Sequence, residues 1–318
     1  MKIVFMEAQS LGDDIDLSAF SELGEVTIYD VDTPAENATR IQDADIVVMN
    51  KIPMNETTLK DAKNVRLICV TATGTDCIDT SYTKQRGITV SNVRGYSTEA
   101  VVQHTFSLLF YLWEKARFYD DYVRSGAYEK QIGFGCFDRK FHELAGRTWG
   151  VIGLGAIGKR VAEIAKVFGC KVIYYSTSGK NHNPEFEQVS FDELLQQSDV
   201  VSIHAPLNDA TKELMNKDAF AKMKKTAILL NLGRGGIICD EDLACAVEAG
   251  EIGAVGLDVL NGEPIRRENP LNRILDRENV YITPHIAWAA VESRKRCIDE
   301  VYKNIESFLG GTVRNSVE

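Results

Sequence analysis

The stretch VIGLGAIGKRVAEIAKVFG, residues 151–169, decides how the chain is read. It continues a strand-like run, TWGVIG (148–153), and places Gly153, Gly155 and Gly158 in a G-x-G-x-x-G pattern. Alone that pattern is weak. Here Ile157, Val161, Ile164, Ala165 and Phe168 recur at helical spacing directly afterwards, so the strand, turn and helix of a dinucleotide-binding loop are all in place. Gly153 permits the tight turn, Gly155 lets the backbone approach a pyrophosphate, and Gly158 lets the helix pack on the strand. The free N–H groups of Ala156 and Ile157 then face the phosphates, favoured by the helix dipole.

On both sides of this loop, short β-branched runs alternate with helical patterns, which predicts parallel sheets with crossover helices. Around the glycine loop six strands are expected, at 148–153, 170–176, 199–205, 226–233, 253–260 and 279–285, enough for a full dinucleotide-binding fold. Ahead of them, strands at 2–6, 25–30, 45–49, 66–71 and 88–92 predict a separate α/β unit. Between the two groups, residues 98–125 read as one long helix, apolar over most of its first half and expected to bury deeply. A Gly- and Phe-rich stretch without period, 125–146, follows and reads as an excursion, an arm that wraps a partner.

Composition narrows the function classes. A chain of 318 residues suits two domains with a core each. The net charge of -10 comes without a run of five like charges, which argues against a nucleic-acid footprint, and a small anionic substrate would need a local cation. Seven cysteines, an odd count with no C-x-x-C pair, imply neither a disulfide framework nor a zinc cluster, and no metal is expected. They read as buried thiols in a reducing compartment. The start, MKIVFMEAQS, lacks the features of a signal peptide, and no apolar run has the length of a membrane span. The chain therefore reads as soluble and cytoplasmic, acting away from membranes.

In open α/β sheets ligands sit outside the carboxyl ends of the strands. Arg234 follows the fourth strand of the glycine-loop group in NLGRGG, Glu263 follows the fifth in GLDVLNGEP, and His285 ends the sixth in TPHIAW. Each alone could be a solvated or packed side chain. Together at one sheet edge they supply what carbonyl reduction beside a nicotinamide needs, a carboxylate clamp and a proton donor. Arg234 offers a planar fork of donors for a 2-oxo acid. Glu263 beside His285 would orient the imidazole and favour its protonated form. The second strand of this group ends in Tyr175, Ser176 and Thr177, where a ribose-binding acid is usual. Ser176 leaves NAD(H) binding possible through hydroxyl hydrogen bonds and removes the charge that would repel a 2'-phosphate. Both NAD(H) and NADP(H) are expected to work, with NAD(H) favoured slightly because no arginine follows.

With these residues quoted, the chain resembles the D-isomer-specific 2-hydroxyacid dehydrogenases along nearly its whole length. TATGTDCID (71–79), NVRGYSTEAVVQHT (92–105), HAPLNDATKELMN (204–216), NLGRGG, GLDVLNGEP and TPHIAW carry the resemblance with the glycine loop. It implies two Rossmann-like doubly wound domains. Residues 1–98 and 287–318 would form a discontinuous substrate domain, and 99–286 a cofactor domain inserted into it. It implies Arg234 as substrate clamp, Glu263 as the acidic partner and His285 as acid/base, with backbone groups around Thr73, Gly74 and Thr75 receiving the substrate carboxylate. Asp258 would hold the nicotinamide amide, and Thr105, His204, Ala205, Pro206, Thr211, Leu232 and Gly233 would line the cofactor groove. His104, inside the apolar helix, reads as a packed ring without a catalytic role. The resemblance further implies a homodimer through the cofactor domain. Within the family it leans to glycerate dehydrogenases, which reduce hydroxypyruvate and often glyoxylate. A dinucleotide-sensing regulatory protein of the same fold is the other reading, and turnover of a 2-oxo acid separates the two.

Overall fold

The computed structural model describes residues 1–31 and 33–317. The chain divides into two compact units, Met1–Ser97 with Ala289–Glu318, and Thr98–Trp288.

The first unit holds β1 (Lys2–Phe5), β2 (Glu25–Ile28), β3 (Ile46–Met49), β4 (Leu67–Val70) and β5 (Thr89–Ser91) in the order β2-β1-β3-β4-β5. All neighbours are parallel. The sequences of β3 (IVVM) and β4 (LICV) are buried at every residue, as central parallel strands covered on both faces must be, while the edge strand β2 (EVTI) is mostly exposed. This is a doubly wound order. The C-terminal helix Val291–Leu309 packs on β4 and buries Cys297, Ile298, Val301 and Ile305. Its buried Asn304 donates to the Asn92 carbonyl at 3.1 Å, fixing the chain just past β5. After β4 comes the loop with Thr73, whose hydroxyl donates to the Val93 carbonyl at 2.8 Å and whose carbonyl accepts from Asn92 Nδ2 at 2.7 Å.

The second unit holds β6 (Thr148–Ile152), β7 (Lys171–Tyr175), β8 (Glu187–Gln188), β9 (Val200–Ile203), β10 (Ile228–Asn231), β11 (Ala254–Leu257) and β12 (Val280–Ile282). They form one sheet, β12-β11-β10-β9-β6-β7-β8, with every pairing parallel. Seven strands stand where six were expected. The extra one, β8, is a two-residue exposed edge, Glu187–Gln188, too short to show a period. Two apolar clusters fill the unit, one around Ile203, Phe220, Leu229 and Leu257, the other around Leu109, Trp149, Val151 and Leu230.

The pattern at 98–125 is two helices, Thr98–Trp113 and Ala116–Arg124, broken at Lys115, which takes a left-handed φ of 56°. Its first half buries Val101, Val102, Phe106, Leu108, Leu109 and Leu112, whereas the second helix buries nothing. The following stretch forms no helix or strand and leaves Ile132 and Phe134 almost fully exposed, with Phe137 nearly so. The reading of all seven cysteines as buried is corrected. Cys69, Cys170 and Cys297 are buried, Cys77, Cys136 and Cys239 are intermediate, and Cys245 is exposed, its thiol beside Glu241 and Arg273. No helix among the described residues is long and apolar enough to cross a membrane.

Candidate active site

The glycine loop leaves β6 where the strand order of the second sheet reverses, with β9 on one side and β7 on the other. Gly153 has φ 87°, and a Cβ there would lie 2.9 Å from the Ala205 backbone; one on Gly158 would lie 2.1 Å from the Gly153 carbonyl oxygen. Only glycine lets the helix Ala156–Val167 start this close to the strand. Gly155 caps that helix with no side-chain hydrogen bond, and the space in front of its Cβ position is open. The helix start therefore offers uncapped N–H groups and room, the requirements of a phosphate cradle. Gly158→Ala should lower cofactor affinity by about tenfold or more, the scale of forcing an extra methyl into a filled space. Titration of wild type and variant measures this, and equal affinities would contradict it.

The groove residues fare unevenly. Ala205, Leu232, Gly233 and Thr211 are buried, and Pro206 is exposed. The Thr211 hydroxyl donates to the Pro206 carbonyl at 2.7 Å and accepts from Asn208 N at 2.8 Å, so it shapes the 206–211 loop. Thr105 is fully buried and bonds its own helix at the Val101 carbonyl, 2.8 Å. Ser176, just past β7, is 6% exposed and its hydroxyl accepts from Asn181 N at 3.4 Å, which turns it inward while Thr177 is half-buried and Ser178 exposed. Both ring nitrogens of His204 are shut from solvent with no hydrogen-bond partner among the described residues. Burial pushes its pKa down to about 3, so the ring is neutral.

Arg234, Glu263 and His285 stand past the ends of three adjacent strands, β10, β11 and β12, whose last residues are paired in register, Asn231 with Leu257 and Leu257 with Ile282. His285 Nδ1 lies 2.6 Å from Glu263 Oε2, and Glu263 Oε1 accepts from Leu260 N at 2.9 Å. The carboxylate is thus anchored to its own loop while it receives the imidazole. With Nδ1–H directed at Glu263, Nε2 is the nitrogen left for a substrate. His285 and Glu263 side chains keep 25% and 32% of their surface open, enough to meet a ligand. His285 itself has φ 55°, an uncommon conformation for a residue with a Cβ.

Arg234 is set by a residue that composition did not single out. Asn231, fully buried at the end of β10, donates from Nδ2 to the Arg234 carbonyl at 3.0 Å and accepts from Gly233 N at 3.1 Å. Arg234 Nη1 donates to the Gly233 carbonyl at 2.9 Å. A Cβ on Gly235 would lie 1.9 Å from the Leu260 carbonyl carbon, so the loop carrying Arg234 rests directly on the loop carrying Glu263. Thr283 is a second such residue, and its hydroxyl donates to Asp258 Oδ1 at 2.7 Å. Asp258 is 2% exposed and accepts from the backbone N–H groups of Ile286 and Ala287 at 2.8 and 2.9 Å, so its carboxylate serves the His285 loop. Asn231 and Thr283 lie inside the motifs NLGRGG and TPHIAW, and that was the available signal. Thr73, Gly74 and Thr75 belong to the first unit, in the loop described above. Among the described residues no group of three or more His, Cys, Asp or Glu side chains is arranged to hold a metal ion.

A parallel sheet with a glycine loop at its switch point and a His–Glu pair at its carboxyl edge defines a nicotinamide-dependent oxidoreductase. Comparison with known proteins agrees. The sequence model for the NAD binding domain of D-isomer specific 2-hydroxyacid dehydrogenases matches residues 106–287. The chain is 39% identical to a hydroxypyruvate reductase of Blautia hydrogenotrophica, covering 100% of this chain and 99% of that protein. It is 37% identical to a glycerate dehydrogenase of Methylorubrum extorquens, with 100% and 99% covered. The crystal structure of D-lactate dehydrogenase from Aquifex aeolicus, complexed with NAD and lactic acid, superposes with a TM-score of 0.85 at 27% identity, over 97% of this chain and 96% of that one. The chain belongs to the D-isomer specific 2-hydroxyacid dehydrogenase family.

Proposed function

We propose that the chain reduces a small 2-oxo acid, hydroxypyruvate or glyoxylate by preference, to the 2-hydroxy acid, of D configuration where the product is chiral. The observation that carries this reading is the 2.6 Å His285–Glu263 pair at the carboxyl edge of the sheet whose switch point holds the glycine loop. The substrate preference rests on the two relatives of 39% and 37% identity.

Gly153, Gly155, Ala156, Ile157 and Gly158 would hold the cofactor pyrophosphate, and the orphaned ring nitrogens of His204 fit a polar group bound in that groove. When bound, the nicotinamide supplies the hydride. Arg234 holds the substrate carboxylate and draws electron density from the carbonyl through its guanidinium. His285 passes the proton on Nε2 to the oxygen that becomes the hydroxyl, and Glu263 stabilises the ring while it carries both protons. With no fixed negative charge at Ser176, NAD(H) and NADP(H) both serve, NAD(H) slightly better.

Two copies of the chain pair through the cofactor-binding unit. The exposed Ile132, Phe134 and Phe137 support this, because apolar side chains grouped on one segment mark an interaction surface.

The test is an initial-rate panel of hydroxypyruvate, glyoxylate, pyruvate and phenylpyruvate, each with NADH and NADPH. The first two should exceed phenylpyruvate in specificity constant by about tenfold or more, the scale on which a pocket rejects excess bulk. Higher efficiency with phenylpyruvate would overturn the substrate assignment. Cofactor binding without turnover of any 2-oxo acid would favour a dinucleotide sensor.

A further inference from the structure

His104 lies in the apolar helix Thr98–Trp113, where a packed ring is the simple expectation, yet its Nε2 is 3.0 Å from Thr283 Oγ1. The Thr283 hydroxyl has one hydrogen, and the short 2.7 Å contact to a carboxylate, Asp258 Oδ1, takes it. The ring nitrogen is therefore the donor, which fixes the Nε2–H tautomer of His104. The same nitrogen is 3.5 Å from Asp258 Oδ1, and Asp258 is the charged group that faces the ring. Burial holds the His104 pKa below its usual value against the pull of that carboxylate, so the ring acts as a neutral donor.

The far end of the chain is the His285 loop. Asp258 accepts from Ile286 N on Oδ1 and Ala287 N on Oδ2, the two N–H groups that follow His285, while His285 N donates to the Thr283 carbonyl at 2.9 Å. Both flanks of a residue in a left-handed conformation are thus tied to one carboxylate and one threonine. Such a conformation persists only where the surroundings over-determine it.

We infer that His104 is a positioning residue for His285, acting through Thr283 and Asp258 to hold the loop that presents the imidazole. This rests on His285 being the acid/base group. His104→Leu removes the donor at similar volume, and His104→Gln keeps an N–H at comparable reach. His104→Leu should lower kcat by about tenfold, the scale of one lost hydrogen bond in a buried network, with KM and cofactor affinity changed by less than about threefold. His104→Gln should recover most of the loss. Thr283→Val should match His104→Leu, and the double variant should be no slower than either single one, because both break the same chain.

Wild-type kcat in His104→Leu, a Gln variant as slow as the Leu variant, or losses that multiply in the double variant would each overturn the inference. If His104→Leu fails to fold, Thr283→Val against His104→Gln decides the matter: a slow Val variant with an active Gln variant supports the chain, and two equal rates refute it. His285→Ala, measured alongside, separates the two claims. Retained turnover there removes the acid/base reading itself, whereas a loss there with an unimpaired His104→Leu removes only the positioning role.

Discussion

His285→Ala is expected to bind the cofactor as the wild type does and to lose about a hundredfold or more in turnover, the usual scale for a positioned acid/base group. The imidazole meets the geometric requirement: one nitrogen is 2.6 Å from the Glu263 carboxylate and the other is left for the substrate. Truncation removes the proton source and leaves the glycine loop untouched, so the loss should fall on kcat with dinucleotide affinity preserved. Steady-state kinetics with cofactor titration check both halves. Normal turnover would remove His285 from the chemistry. Lost cofactor binding would show instead that the side chain supports the groove.

Arg234→Lys is the second large effect, despite the kept charge. The backbone at Arg234 is fixed by Asn231 on one side and the contact of Gly235 with Leu260 on the other, so a shorter-reaching, freely rotating ammonium cannot move in to compensate. An ammonium also cannot reproduce the two parallel hydrogen bonds of a guanidinium to a carboxylate. The specificity constant for the 2-oxo acid should fall on the order of a hundredfold, through KM because the carboxylate is held less well and through kcat because the guanidinium no longer polarises the carbonyl. A near-wild-type value would place the clamp elsewhere.

What the sequence showed and hid follows from the kind of interaction. The glycine loop was legible because positive φ at Gly153 and the close approach at Gly158 admit one residue type. Arg234, Glu263 and His285 were legible because strand ends are recognisable and charged residues are unusual there. Asn231 and Thr283 were not, since a neutral polar side chain that bonds a nearby backbone or carboxylate leaves no periodicity or charge to notice. The break at Lys115 was hidden because a lysine, carrying no turn signal, takes the left-handed conformation. Ser176 stands just past β7, and its inward orientation depends on Asn181, five residues on, through a turn that composition does not define.

Stereospecific hydride transfer to a 2-oxo acid is read directly from the configuration of the glycerate formed from hydroxypyruvate and NADH. D-glycerate, formed by the wild type and reduced to a trace in His285→Ala, is the predicted result. L-glycerate, or no glycerate from a preparation shown to bind NADH, would contradict a D-specific 2-oxo acid reductase.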